Sequence, residues 1–130
     1  MSFLLKKSKF AEVRFPSRCF HLEKELINIA YILETSIDTR LNDKTLEILI
    51  DEKFYNFLIY NSLTKGNVFK IPFLCLYADQ TKETEVCAFI SNSTNIHINN
   101  LTREEKDYVF SLMQGKDFYI DVYPKYDKNF

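Results

Sequence analysis

The residues of this chain best suited to chemistry are three cysteines and two histidines, and one pair of them stands close: Cys19 and His21, followed by Glu23 and Glu25. A thiol, an imidazole and a carboxylate make up a nucleophilic site when the ring takes the thiol proton and the acid orients the ring. The spacing works against that use. Residues two apart do not share a helix face, and neither a glycine-rich turn nor an oxyanion-hole signature accompanies them. His97 lies far along the chain. An enzyme or small-molecule binder would need a pocket assembled from distant residues around Cys19 and His21, or around His97.

Metal ligation asks for at least three donors at a recognisable spacing, and Cys19, Cys75, Cys87, His21 and His97 offer none. Phosphate cradles need glycine where backbone approaches the ligand. The two glycines, Gly66 and Gly115, are isolated and read as helix stops. The paired acids Asp51 with Glu52 and Glu104 with Glu105 fall at helix starts, where carboxylates serve as caps and macrodipole partners. The expectation is therefore a chain without catalytic residues, metal or cofactor.

Charge narrows the partner. Seventeen basic side chains face 18 acidic ones, which argues against both a polyanion mimic and a strongly basic nucleic-acid platform. Locally the balance is uneven. Lys6, Lys7, Lys9, Arg14 and Arg18 face only Glu12 in the first eighteen residues, with a basic arm over about 1–9. Between Glu23 and Glu52 eight acids face three bases. Phe3, Phe10 and Phe15 among the basic residues would suit a groove that tracks a nucleic-acid backbone, although Phe10 and Phe15 read more simply as core.

These residues must be carried by elements. At 130 residues, 46% hydrophobic, with 12 Phe and 8 Tyr against 2 Gly and 3 Pro, the chain has the size and composition of one packed domain spanning 1–130. Phe10 to Phe15 alternates as a half-buried strand does. Leu22, Leu26, Ile29, Ala30, Leu33, Ile37 and Leu41 recur at helical steps, predicting an amphipathic helix over about 20–41, with Thr35–Thr39 its weakest part. A short strand over 45–50 precedes a helix capped by Asp51 and stopped before Gly66. Residues 68–77 and 85–91 read as two apolar strands, with Pro72 pointing to an edge, a bulge or a strand paired on one side only near its start, and with Cys75 opposite Cys87 if the loop between them centres near Thr81. Ile96 to Ile98 allows a very short strand. Thr102 and Glu105 form a capping-box pattern opening a helix that Gly115 closes. Phe118, Ile120 and Val122 alternate in a last strand stopped by Pro124.

The resulting expectation is a single-domain α+β fold, with an antiparallel or mixed sheet of about four to five strands and two to three packed helices. The last strand would turn Tyr119, Asp121 and Tyr123 outward, followed by Tyr126 and Asp127. Tyrosines beside acids suit an interface with a basic protein. The function expected is thus a small protein-binding module, with a dedicated inhibitor of the immunity or anti-defence type as its sharpest form. Its partner would be another protein rather than a nucleic acid. With no apolar run of membrane-spanning length and no signal-peptide pattern, a cytoplasmic location is expected.

Overall fold

The computed structural model describes residues 5–66, 68–90, 95–99, 102–105 and 107–108. The fold is α+β, built on a six-strand open sheet. The strands are β1 (Phe10–Pro16), β2 (Tyr31–Asp38), β3 (Asp43–Leu49), β4 (Phe73–Tyr77), β5 (Glu85–Ile90) and β6 (Asn95–Ile98), in the spatial order β2-β3-β1-β4-β5-β6. The four strand pairs with a defined register are all antiparallel. The count is slightly above the four to five expected. Two helices, α1 (Phe20–Ile29) and α2 (Glu52–Tyr60), join the strands, and 103–105 and 107–108 are helical as well. The chain divides into two compact units, Met1–His97 and Ile98–Phe130.

β1 is the central strand because its apolar residues fall on alternate positions. Ala11, Val13 and Phe15 are buried and lie across from Ile48, Leu46 and Lys44 of β3. Leu74 and Leu76 of β4, across from Val13 and Ala11, extend this layer. Leu22 and Leu26 of α1 and Phe54, Phe57 and Leu58 of α2 are the buried stripes of the helices. Each such side chain contributes about 1.5–3 kcal/mol on burial. Glu23 of α1 pairs with Lys44 of β3, and Lys70 bonds Glu25 at 3.0 Å while lying over the Phe57 ring. Charged side chains thus close the margins of the helical layer.

The connections have a definite logic. α1 carries the chain from β1 to β2, leaving room for β3 between them, and α2 carries it from β3 to β4, with β1 between those two. Two split β-α-β units interlock. Through β4 the order is that of the ferredoxin-like arrangement, which β5 and β6 extend at one edge.

Several boundaries depart from the sequence reading. α1 ends at Ile29; Ala30 is already extended, although its N–H still reaches the Leu26 carbonyl at 2.8 Å. The rest of the expected helix is β2, rich in the β-branched residues that favour strands. α2 begins after its Asp51 cap but ends at Tyr60, with Asn61 as its C-cap, short of Gly66. There the Ser62 hydroxyl bonds the Leu58 carbonyl and Leu63 bridges Phe69, turning the chain. β4 is an interior strand rather than an edge, since Pro72 stands just before it and needs no ladder bond. Cys75 pairs with Ala88, and Cys87 with Leu76, so the two thiols lie on opposite faces of the sheet. The expected last strand, with its tyrosines, lies outside the described residues.

Candidate functional site

Chemistry first suggested Cys19 and His21. Cys19 stands at the N-cap of α1, half-buried and making no side-chain cap bond; His21 is exposed on the first turn. His97 is exposed on β6, at the opposite end of the strand order from β2. The two histidines are therefore not brought together. No group of three or more His, Cys, Asp or Glu capable of holding a metal occurs among the described residues. No helix among them is long and apolar enough to cross a membrane.

The basic residues also disperse. Lys6, Lys9 and Arg18 are exposed, whereas Arg14 bonds Glu12 at 3.3 Å and lies 5.0 Å over the Phe73 ring. The Lys9 backbone donates to Tyr77 and accepts from Ile50, so this residue belongs to the sheet margin. The residues expected to bind a partner, Tyr119, Asp121, Tyr123, Tyr126 and Asp127, lie outside the described residues.

Two features that sequence reasoning missed lie side by side. The first is on the sheet face opposite the Leu46 and Ile48 side chains. Antiparallel register sets Glu34 of β2, Glu47 of β3, Glu12 of β1 and Cys75 of β4 in one lateral row, with neighbours about 5 Å apart. Three carboxylates side by side repel unless a cation intervenes. Lys82, from the loop between β4 and β5, supplies one: its ammonium bonds Glu12 at 3.0 Å, pairs with Glu47 and lies 5.7 Å over the Phe10 ring. Lys82 adopts φ 62°, a left-handed conformation unusual for a side-chain-bearing residue. The hydrogen bond to Glu47 raises the Lys82 pKa above 10.5, outweighing the opposing effect of burial. Beyond Glu12, Cys75 donates its S–H to Glu85 at 3.0 Å. Burial chiefly pushes the Cys75 thiol up to about 12 and raises Tyr77 beside it. These are protonated, unreactive groups at neutral pH.

The second feature is the sheet edge at the other end of that row. β2 is 8 residues long and exposed at every position except Ile32. Among the described residues its backbone pairs only with β3. Apolar side chains are exposed on β2, in the turn after it and on α1: Ile37 and Leu41 are each 60% exposed, Phe20 71% and Ile27 57%. Phe20 and Ile27 are seven residues apart and so share one helix stripe. Tyr31, on the Glu34 face, and Leu33, at the register irregularity, are exposed on the same strand. Single exposed apolar residues are ordinary; Ile37, Leu41, Phe20 and Ile27 are notable for belonging to one edge strand, its turn and the helix before it. The signal available in the sequence was the Thr35, Ile37, Thr39 run of β-branched residues, which favours strand over helix.

No family model, curated protein or solved structure matches the chain.

Proposed function

We propose that this protein is a binding module that acts by occupying the surface of another protein, and that β2 with the outer side of α1 is the docking edge. The observation that carries this reading is the eight-residue strand paired on one side only among the described residues, with exposed Phe20, Ile27, Ile37 and Leu41 on it and beside it in the chain. An exposed edge offers backbone N–H and C=O groups to an added strand, which supplies affinity through main-chain bonds, while flanking side chains select the partner. Cys75 and Cys87 are buried, and His21 and His97 stand on separate elements. Occupying a partner's surface blocks it stoichiometrically, which is how an inhibitor of the immunity or anti-defence type acts.

Exposed side chains can be truncated with little harm to the fold, so Phe20→Ser and Ile37→Ser are each expected to change stability by less than about 0.5 kcal/mol. Affinity purification from the native host, compared quantitatively between the unmodified chain and these variants, is expected to show a protein retained by the former and lost by the latter. Retention of the same partners by a doubly substituted, folded chain would remove the edge from the interface.

A further inference from the structure

β2 carries two acids, Glu34 and Asp38, and no basic residue. Asp38 is committed locally: one carboxylate oxygen accepts the N–H groups of Arg40 at 3.0 Å and Leu41 at 3.1 Å, shaping the turn into β3. Glu34 is different. It stands across from Glu47 at the outer end of the row Glu34, Glu47, Glu12. Lys82 serves Glu47 and Glu12, and Arg14 also bonds Glu12. Among the described residues no cation reaches Glu34, so the shortage falls on the strand edge.

Resting on the reading of β2 as a docking edge, we propose that its occupant is an extended segment of a partner protein in which lysine or arginine alternates with apolar residues. Added beside β2, such a strand sets a basic side chain next to Glu34 and gives the acidic row a cation at its outer end. Its apolar residues then fall on the opposite face, beside Ile37. A second copy of this chain is the poorer occupant. Pairing β2 with β2 gathers the Glu34 and Asp38 of both copies without a cation from either strand, and like charges across a strand pair are destabilising. The acids that discourage self-association are thus the ones that select a basic strand.

The test uses the full chain and two synthetic peptides matching β2 in length, 8 residues: one alternating lysine with valine, one alternating glutamate with valine. Amide chemical shifts and calorimetry are followed with each peptide up to millimolar concentration. The lysine peptide is expected to bind at least about tenfold more tightly, with its largest shifts in Tyr31–Asp38, and to weaken as salt is raised. In Glu34→Lys the preference is expected to invert, while the free protein melts at a higher temperature because the clash with Glu47 is gone. Equal affinity for the two peptides, shifts centred elsewhere, no binding, or concentration-dependent self-association through β2 would each overturn the proposal. Loss of a native partner in Phe20→Ser and Ile37→Ser without any peptide preference would leave the docking edge standing and reject only the basic strand. Retention of that partner would reject the edge itself.

Discussion

Lys82 combines a conformational cost with an electrostatic gain, and substitutions can separate the two. A non-glycine residue at φ 62° carries roughly 1 kcal/mol of backbone strain, offset by ion pairs to Glu12 and Glu47 that are each partly shielded from water. Lys82→Ala keeps the strain and discards the pairs, leaving two adjacent carboxylates to repel across β1 and β3. Lys82→Gly discards both. Glycine is therefore expected to be more stable than alanine at this position by about 1 kcal/mol, with both below the unmodified protein. Urea denaturation of the three proteins measures this order. Alanine matching or exceeding glycine would show that the left-handed geometry stores no strain. Neither the strain nor the pairing is legible from sequence, because Glu12, Glu47 and Lys82 come from three separate segments that only the sheet register brings together.

Among the elements, α2 is the one whose start the sequence marks most plainly. Asp51 accepts the Phe54 N–H at 3.0 Å, as an N-cap should, and Phe54 is fully buried three residues later. Asp51→Ala is expected to cost about 1 kcal/mol, whereas Asp51→Asn, which keeps the acceptor, should lose only a few tenths; thermal denaturation of the pair distinguishes capping from net charge. The capping box of Thr102 and Glu105 was equally readable, and both reciprocal bonds form, at 3.0 and 3.2 Å. Such signals are legible because donor and acceptor lie within one turn. β2 failed to announce itself for the opposite reason. Alternation in a strand records burial of one face, and β2 is exposed on both, so no period of two was imprinted on it. Ile29, Leu33, Ile37 and Leu41 happened to fall at helical steps instead. The candidate docking edge therefore lies in the stretch where the sequence pattern was most misleading.

For the molecule as a whole, the fold gives no function by itself, since interlocked split β-α-β units carry many unrelated activities; it does, however, set how stability responds to pH. Cys75 lies on one face of the sheet and Cys87 on the other, both buried. Burial raises both thiols above their ordinary value of 9.0, Cys75 to about 12 and Cys87 at least as strongly. Above pH 9.0 the unfolded chain therefore releases protons that the folded chain retains. Fewer protons bound in the unfolded state means that stability falls as pH rises, by at most about 1.4 kcal/mol per pH unit for each thiol. Tyr77, raised by burial from 10.0, adds to the loss at higher pH, and so does Lys82, whose ion pairs contribute fully below 10.5 and disappear as its ammonium is deprotonated. Every one of these shifts acts in the same direction. In reducing buffer the urea midpoint is expected to fall clearly between about pH 8 and about pH 10. A chain with both Cys75→Ala and Cys87→Ala starts from a lower midpoint, because core volume is lost, but declines less steeply over that interval. Equal slopes in the two proteins would show that the thiols ionise alike in the folded and unfolded chains, and would contradict their burial on the two faces of the sheet.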